Sequence, residues 1–378
     1  MKLLYCIPSL DSSGGTERVL TNKVNYLAQN TNYTIYLVLT EKQKKIPFYA
    51  IHPSVKIIHL DIDFKSIAKY NLIIKILIYF FKKLVYKSKL AKLLYEIKPN
   101  ITTTLLSHEI DFLNDIQDGS VKIAECHFNK DFRFSFVKNT TSNRLKLAIA
   151  NWRNQQLISK VKKSDHLVTL THLDYEEWSE VTSKSVIPNA LPFISKFKSD
   201  CKSKKIVVAG RYTREKGYDL LLNVWRDVEI LYPDWKLYIY GDGVERINLE
   251  SFVLENNLCN VFLEHSVSDI SEKFREGSFS ILSSRFEGFG MVIIEAMECG
   301  LPVIAFDCPC GPNEIILHCV DGILVPPNNL EKLKESICYM IANENSRIEM
   351  GKKAALKASQ FSNDIIMKKW VQLYQQIV

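Results

Sequence analysis

The chain has 378 residues, which is long enough for two domains of ordinary size. Hydrophobic residues make up 47% and charged residues 24%, values typical of a soluble globular chain with a real core. The net charge of +7 is modest for this length, so we expect no nucleic acid among its partners.

The nine cysteines give no sign of a disulfide framework. Their number is odd and they contain no C-x-x-C, which favours reduced thiols in a cytosolic protein. Cys308 and Cys310 lie near Cys299 and Cys319, but this spacing lacks the two pairs that zinc sites use. Small buried thiols are therefore the better interpretation, and no metal site is predicted.

The N-terminus predicts a buried strand rather than an export signal. Its short apolar run reaches the polar Asp11 too soon for a signal-peptide core. No stretch of about eighteen uncharged apolar residues occurs, so no transmembrane helix is expected. These patterns predict a cytoplasmic protein.

Short apolar segments alternate with helical patterns through the first half of the chain. After a strand at 2–8 and a helix at 16–29, further strands are predicted at 34–40, 57–60, 101–106, 122–125 and 166–171. Strands that alternate with helices predict a parallel sheet with crossover helices.

A domain boundary is predicted directly after Val186. The sequence IPNALPF carries two prolines, and residues 196–205 are polar and rich in lysine. A second alternating series follows, with strands predicted at 206–209, 235–240, 261–264, 279–283, 302–306 and 322–325. The chain is therefore divided into an N-terminal domain at 1–187 and a C-terminal domain at 188–363.

Residues 65–98 mix bulky apolar side chains with many lysines. At about 100° per residue, one arc of the predicted helix holds Ile73, Leu77, Phe80, Phe81, Leu84 and Tyr95. The lysines that fall mainly outside this arc are Lys75, Lys82, Lys83 and Lys89. A basic amphipathic helix of this kind suits an anionic membrane surface. The alternative is a helix whose apolar face packs on its own sheet while its lysines are solvated.

Two glutamates, Glu287 and Glu295, flank a glycine-containing turn within SSRFEGFGMVIIEAMECGL. Their spacing is a little over two helical turns, so both acids can face the same way on a helix or its entry. The N–H groups of residues 288–291 would then lie at a helix N-terminus, which suits anionic or hydroxyl-rich ligands. Carboxylates for sugar hydroxyls and N–H groups for phosphate predict a nucleotide-sugar site. The alternative is a capped, half-buried helix with a solvated glutamate at each end.

This stretch resembles the E-x7-E signature of retaining glycosyltransferases of the GT-B fold, the family-four group that includes bacterial lipopolysaccharide and capsule transferases. Similar segments are GGTERVL at 14–20, AGRYTREKGYDLLL at 209–222, CGLPVIAFDCPCGPNEII at 299–316 and DGILVPP at 321–327. The resemblance implies an α/β fold of the GT-B class, with two Rossmann-like doubly wound domains facing across a cleft. It also implies that a final helix at 364–378 packs back on the first domain.

The resemblance implies roles for particular residues of the second domain. Arg211 and Lys216 would neutralise charge on the donor diphosphate, and Glu287 would lie beside the donor sugar. Glu295 would bond the ribose hydroxyls of the donor. The residues that would bind sugar hydroxyls and phosphate through their backbone are Gly288, Phe289, Gly290 and Met291.

In the first domain, the resemblance implies that the loop with Gly15 and Thr16 closes over the donor phosphate and borders the acceptor. It also places His127 at the cleft edge, where it can bond the donor sugar. A glycine pair after a strand often only satisfies a tight turn, and a lone histidine is more often structural. His108 is the weaker competitor for the role of His127.

The function implied is that of a retaining transferase that moves a hexose or N-acetylhexosamine from a nucleotide-sugar, expected to be a UDP-sugar. The acceptor would be a lipid-linked glycan or a growing surface polysaccharide. The protein would be peripheral on the inner face of the cell membrane. Families of this fold generally work without an essential metal, and no cofactor is expected.

Other classes of function stay open at this stage. A nucleotide-sugar epimerase or an inverting transferase could use the same two-domain fold. A nicotinamide-dependent oxidoreductase shares the strand–glycine–helix units, but no G-x-G-x-x-G follows the first predicted strand. A non-catalytic partner subunit is disfavoured because both glutamates and both cations are present.

Overall fold

The computed structural model describes residues 1–12, 14–42, 46–128, 130 and 143–378. The chain forms two units, each with its own core. Unit 1 consists of residues 1–190 and 363–378, and unit 2 consists of residues 191–362.

Unit 1 is built on a parallel sheet of seven strands. In chain order they are β1 Lys2–Ile7, β2 Thr34–Leu39, β3 Lys56–His59, β4 Ile101–Thr104, β5 Val121–Glu125, β6 His166–Thr169 and β7 Lys184–Val186. Their order across the sheet is β3-β2-β1-β4-β5-β6-β7. The central strand β1 is buried from Leu3 onward, as expected where helices cover both faces of a parallel sheet.

Among the described residues of unit 1, helices connect these strands and a final helix returns after unit 2. They are Gly15–Asn30, Leu72–Ile97, Arg144–Val161, His172–Glu177 and Asn363–Ile377, with short 3-10 turns at Phe64–Lys69, His108–Asp111 and Leu113–Asp115. The last helix joins the core of unit 1, where the hydroxyls of Tyr374 and Tyr5 lie 2.7 Å apart.

Unit 2 contains six parallel strands in two three-stranded sheets. They are β8 Lys205–Ala209, β9 Lys236–Tyr240, β10 Val261–Glu264, β11 Ser280–Leu282, β12 Val303–Phe306 and β13 Gly322–Val325. A parallel bridge between Ile206 and Phe279 joins β8 to β11. The combined order β10-β9-β8-β11-β12-β13 is that of a doubly wound nucleotide-binding sheet.

Helices surround this second sheet. They are Tyr218–Leu231, Arg246–Glu255, Ile270–Glu276, Met291–Glu298, Pro312–Ile315, Leu330–Ala342 and Glu344–Ala358, with 3-10 turns at Arg214–Lys216 and Ser359–Phe361. The core beneath them is closed by large side chains, among them Trp225 and Phe279, which are fully buried.

The predicted α/β class with doubly wound parallel sheets is confirmed, and every strand that the sequence predicted is present. One strand was missed. The sequence predicted no strand between 171 and the boundary after Val186, but residues 184–186 form the edge strand β7. The segment is only 3 residues long and precedes two prolines, so its pattern resembles a linker. All nine cysteines are free thiols.

Candidate functional site

The sheet order of unit 2 brings two predicted site segments together. The loop after β8, residues 210–217, carries Arg211 and Lys216 and is here called the cation loop. The loop after β11, residues 283–290, carries Glu287 and is here called the glutamate loop. Because β8 and β11 are neighbours and parallel, their carboxyl ends deliver both loops to one edge, at the point where the strand order reverses.

An ion pair joins the two loops. The Lys216 Nζ atom lies 2.6 Å from Glu287 Oε1, and the two side chains are 18% and 9% exposed. The Ser284 hydroxyl donates a second hydrogen bond of 2.6 Å to the same carboxylate oxygen. A cation and a carboxylate that the sequence placed in separate motifs therefore form one polar centre.

Beside this centre, Arg285 forms a clamp between the two loops that was not predicted from the sequence. The Arg285 guanidinium donates two hydrogen bonds, of 2.8 and 2.7 Å, to the Asp219 carboxylate. It also donates to the Arg214 carbonyl at 2.7 Å. Burial raises the pKa of Asp219, but the bonds from Arg285 outweigh it and hold that pKa below its ordinary value. The clamp fixes the glutamate loop against the cation loop and the helix that follows it.

The close approach of the loops requires a glycine at position 217. Gly217 has a φ of 65°, and a Cβ added there would lie 2.0 Å from the Ser283 carbonyl oxygen. The Ser283 hydroxyl in turn donates to the Lys216 carbonyl at 2.9 Å. A side chain at position 217 would therefore push the two loops apart.

Arg211 differs from Lys216 because its side chain has no partner among the described residues. Its side chain is exposed, and it makes no hydrogen bond or ion pair with a described residue. A guanidinium with all five N–H groups unused can form a bidentate contact with a phosphate. Arg211 thus offers a free cation in the same loop as the paired Lys216.

The glutamate loop ends at a helix that begins with Met291. Gly290 is the N-cap, with a φ of 88° that suits glycine. Within the described part of the chain, the N–H groups of Gly288, Phe289, Gly290 and Met291 donate no hydrogen bond. The Phe289 side chain is buried and packs on Phe361, so only the backbone of Phe289 can serve a ligand. Four unused N–H donors in a row suit an anionic group.

Glu295 lies within the Met291–Glu298 helix, and it is only 3% exposed. Glu287, by contrast, lies on the loop before the helix. Glu287 therefore lies at the entry of the helix and Glu295 inside it, and the expectation that both carboxylates face the same way stays a prediction. The alternative with two solvated glutamates is wrong, because neither carboxylate is exposed.

In unit 1, the helix after β1 begins at Gly15, with Gly14 as its N-cap. Gly15 is exposed, and a Cβ added to it would meet nothing within 4 Å. Thr16 follows in the first helical turn and is partly exposed. The Ser12 hydroxyl donates to the Glu17 carboxylate at 2.7 Å, which gives Glu17 a local structural partner.

His127 follows β5, and its ring contacts a buried carboxylate of unit 1. Its Nε2 atom lies 3.0 Å from Glu125 Oε1, and its side chain is 8% exposed. The same Glu125 oxygen lies 2.5 Å from Lys23 Nζ. His108, the competitor, stacks on the Phe64 ring with centroids 4.0 Å apart, so its ring belongs to an aromatic cluster of the core.

The Leu72–Ile97 helix has two different halves. Its C-terminal half buries Tyr86, Leu90, Leu94 and Ile97 in the core of unit 1. Its N-terminal half carries an apolar face that is 48–73% exposed, here called the apolar face and formed by Leu72, Ile73, Ile76, Leu77, Phe80, Phe81 and Leu84. No helix among the described residues is long and apolar enough to cross a membrane.

The lysines of this helix differ from the expectation. Lys82 donates to the Ile62 carbonyl at 2.6 Å, Lys83 pairs with Asp111 at 2.8 Å, and Lys89 donates to the Leu60 carbonyl at 2.7 Å. Three of the four lysines selected from the sequence therefore bind the fold itself. The lysines of the helix whose side chains make no hydrogen bond or ion pair with a described residue are Lys75, Lys87 and Lys92.

Comparisons with known proteins show which family and which relatives resemble this chain. Residues 192–357 match the family described as glycosyl transferases group 1. A glycosyltransferase of Haemophilus influenzae, named as uncharacterized, is 28% identical over 98% of this chain and 98% of its own. The amylovoran biosynthesis glycosyltransferase AmsD of Erwinia amylovora is 25% identical, again over 98% of each chain. Residues 192–357 are thus similar to the group 1 glycosyltransferases, and both relatives that align over nearly the whole chain are named glycosyltransferases.

The fold of this glycosyltransferase is shared by solved structures. TarM of S. aureus, in complex with fondaparinux, alpha-GlcNAc-glycerol and UDP, aligns with a TM-score of 0.78 over 99% of each chain at 16% identity. A likeness at this identity shows the fold alone, which is GT-B. The family model covers the cation loop, the glutamate loop and the Met291–Glu298 helix.

An Asp-x-Asp sequence, of the kind some glycosyltransferases use for a metal, occurs at Asp61 and Asp63. Both residues have positive φ, 52° and 56°, and they form the turn before the 3-10 helix Phe64–Lys69. This position lies in unit 1, whereas the cation and glutamate loops lie in unit 2. Independence from a metal stays a prediction.

Proposed function

We propose that this protein is a retaining group 1 glycosyltransferase that moves a hexose or N-acetylhexosamine from a UDP-sugar to a lipid-linked or growing surface polysaccharide. The observation that carries the proposal is the Lys216–Glu287 pair beside four unused backbone N–H groups. A cation and a row of N–H donors suit a diphosphate, and a carboxylate beside them suits sugar hydroxyls.

Charge at the leaving group would be handled by the cation loop. A diphosphate at this loop would share the Lys216 ammonium with Glu287, and the free Arg211 guanidinium would add a bidentate contact. As the bond from the anomeric carbon to the phosphate oxygen breaks, negative charge grows on the diphosphate. Positioned cations at a developing charge are usually the largest catalytic contribution.

Retention would follow from attack on the face that the diphosphate leaves. The acceptor oxygen forms its bond to the anomeric carbon while the phosphate oxygen departs, and the acceptor proton passes to that phosphate. UDP and the glycosylated acceptor are the products. No protein nucleophile is required, and Glu287 serves to hold the sugar.

The names of similar proteins support the donor and acceptor classes. The S. aureus TarM structure contains UDP, and the Erwinia amylovora relative is named for amylovoran biosynthesis. Neither name identifies the sugar that this chain transfers. Pocket contacts that differ between family members decide that choice.

Attachment to an anionic membrane surface is proposed for the apolar face of the Leu72–Ile97 helix. Seven large apolar side chains lie exposed on one side of its N-terminal half. Lys87 and Lys92 follow within the next two turns, where their ammonium groups can meet lipid headgroups. This surface would place the enzyme on the inner face of the cell membrane, near a lipid-linked acceptor.

A panel of nucleotide-sugars tests the proposed donor. Purified protein is incubated with UDP- and GDP-sugars, and released nucleotide and altered sugar are measured. Slow release of UDP from at least one UDP-sugar is expected. In a second measurement, by calorimetry, the affinity for UDP should be lower in the Glu295→Gln variant than in wild type. It should be unchanged in Glu272→Gln, which alters an exposed glutamate of the same unit. Epimerised donor without release of UDP would instead identify an epimerase.

A further inference from the structure

The Arg144–Val161 helix carries apolar side chains on two opposite sides. One side lies buried in unit 1 and consists of Ala150, Asn154, Leu157, Ile158 and Val161. The other side is exposed and is here called the Trp152 face, formed by Leu145, Ala148, Ile149 and Trp152. At about 100° per residue, these four positions share one arc on the side away from the core. The core of unit 1 therefore does not account for them.

The large side chains of the Trp152 face are well exposed. Leu145, Ile149 and Trp152 are 69%, 44% and 62% exposed. Single apolar side chains on a surface are ordinary, whereas a continuous exposed stripe indicates contact with another surface. The spacing of the stripe, at positions i, i+3, i+4 and i+7, is that of one helix face.

Basic side chains border the Trp152 face on both sides. Arg144 lies on one flank, and Lys146 and Arg153 lie on the other, because of the same helical rotation. All three side chains are exposed and make no hydrogen bond or ion pair with a described residue. The helix contains no Asp or Glu. An apolar stripe between free cations is typical of a helix that lies in the surface of an anionic bilayer.

This helix covers the same face of the sheet as the Leu72–Ile97 helix. Cys6 of β1 shares a core cluster with the Leu72–Ile97 helix, and Ala124 of β5 shares one with the Arg144–Val161 helix. Thr104 of β4 is aligned with both Cys6 and Ala124. Aligned residues of adjacent strands point to the same face of a sheet, so the two helices lie side by side on it.

Both helices extend beyond the carboxyl edge of this sheet. They have 26 and 18 residues, whereas β4 and β6, which they precede, have 4 each. At 1.5 Å per residue the helices are roughly 39 and 27 Å long, against about 13 Å for each strand. Each helix ends near the amino end of its strand, so its N-terminal half projects past the opposite edge. The exposed apolar side chains of both helices occur in these halves.

We propose that the Trp152 face is a second contact with an anionic bilayer surface, beside the apolar face of the Leu72–Ile97 helix. Leu145, Ile149 and Trp152 enter the boundary between headgroups and acyl chains, where an indole is favoured. The flanking cations meet lipid phosphates. The inference rests on the membrane attachment in the proposed function. Two linked contacts bind more tightly than either alone and fix the orientation of unit 1 on the bilayer.

Trp152 serves as the probe of this contact. The other four tryptophans are at most 6% exposed, namely Trp178, Trp225, Trp235 and Trp370. Vesicles of phosphatidylcholine and phosphatidylglycerol are prepared with and without bromine on the acyl chains, since bromine quenches an indole only at short range. Fluorescence of wild type should be lower with the brominated vesicles, and this difference should disappear in Trp152→Phe. Equal fluorescence of bound wild type with both kinds of vesicle would overturn the proposal.

Partition of the full chain between buffer and the same vesicles measures the strength of the contact. Leu145→Asp/Ile149→Asp should lower the partition coefficient by about tenfold or more, because two apolar side chains become charged. The matched control is Ile247→Asp/Leu254→Asp, which changes an exposed apolar pair, 75% and 77% exposed, on the Arg246–Glu255 helix of unit 2. It should bind as wild type does. Urea unfolding of both variants verifies that the fold is kept.

The outcomes separate this inference from the proposed function. Unchanged binding of Leu145→Asp/Ile149→Asp would overturn the inference and leave the Leu72–Ile97 helix as the contact. Release of this variant but not of Phe80→Asp/Phe81→Asp would support the Trp152 face and reject attachment through the other helix. A solution mass that halves in Leu145→Asp/Ile149→Asp without vesicles would assign the face to a second copy of this chain and overturn the proposal. Wild type that binds no vesicle would reject both membrane contacts, while the donor panel would still decide the transfer reaction.

Discussion

The Lys216 ammonium and the Glu287 carboxylate lie 2.6 Å apart, although 71 residues separate them in the chain. The contact exists because β8 and β11 are adjacent parallel strands and each carries its loop to the same sheet edge. Without a ligand, each group neutralises the other. A bound diphosphate would compete with Glu287 for Lys216, and this competition makes the pair a sensitive reporter of donor binding.

Removal of either cation should slow the enzyme strongly. Lys216→Ala and Arg211→Ala are each expected to lower kcat/KM by about a hundredfold, as for lost stabilisation of charge on the leaving diphosphate. Arg214→Ala is the matched control, since its side chain is an exposed cation of the same loop. Turnover near the wild-type value in both variants, measured with the true donor, would remove the cation loop from the phosphate site.

The contact between the loops predicts a stability difference between two glycines. Gly217→Ala should cost about 1 kcal/mol for the left-handed backbone and more for the 2.0 Å approach to the Ser283 carbonyl. Gly119→Ala shares a positive φ, 83°, but meets nothing within 4 Å, so it should show only the backbone cost. Unfolding free energies of both variants provide the comparison. Equal losses of unfolding free energy in the two variants would show that the approach to the Ser283 carbonyl adds no strain.

The sequence was sufficient for the architecture and for the main polar centre. Buried parallel strands appear as short Ile- and Val-rich segments, so even β10 and β13 could be located. Both Lys216 and Glu287 lie in motifs whose loops follow such strands. The edge strand β7 was missed because it is short and adjoins prolines.

Contacts between distant residues were not predictable in the same way. Lys23 occupies a position on an amphipathic helix where a lysine is usually solvated, and its partner Glu125 is 102 residues away in the chain. The paired hydrogen bonds from Arg285 to Asp219 likewise depend on the geometry of the loops, which the spacing of residues in the sequence does not reveal. Lys82, Lys83 and Lys89 look like free charges in the sequence because their acceptors belong to other elements.

Acid should lower the stability of unit 1 by protonating the Glu125 carboxylate. Burial raises the pKa of this carboxyl, but Lys23 and His127 outweigh it and hold the pKa at about 2, below the ordinary 4.5. A lowered pKa in the folded state stabilises the fold above pH 4.5, and this contribution is lost as the pH falls from 4.5 towards 2. Its size is on the order of 3 kcal/mol.

Chemical denaturation between pH 7 and pH about 2.5 checks this dependence. The free energy of unfolding of Glu125→Gln should lie below that of wild type at neutral pH, and the gap should narrow steadily in acid. Glu96→Gln, an exposed glutamate of the same unit, should follow the wild-type curve. A difference in unfolding free energy that stays constant across this range would show that the partners of Glu125 do not lower its pKa.

Membrane attachment should depend on the apolar face more than on the lysines that bind the fold. Phe80→Asp/Phe81→Asp is expected to release the protein from vesicles that contain anionic lipid, since both rings are more than half exposed, at 58% and 67%. Added salt should weaken wild-type binding, because Lys75, Lys87 and Lys92 contribute on the order of 1 kcal/mol each near the surface.

Sedimentation with neutral and anionic vesicles gives the measurement. The matched control is Ile230→Asp/Leu231→Asp, which changes an exposed apolar pair in unit 2, 78% and 61% exposed, and should bind as wild type does. Donor hydrolysis should be unchanged in both variants. Equal binding of wild type and Phe80→Asp/Phe81→Asp would leave the apolar face without a role at the membrane.

The configuration of the first product tests the central claim most directly. The sugar released or transferred from an α-linked UDP-sugar is followed by 1H NMR from the earliest time points, before the anomers equilibrate. A retaining transferase that uses the Lys216–Glu287 centre should give the α product together with UDP, and Lys216→Ala should suppress both signals. A β product at the earliest times would contradict the account.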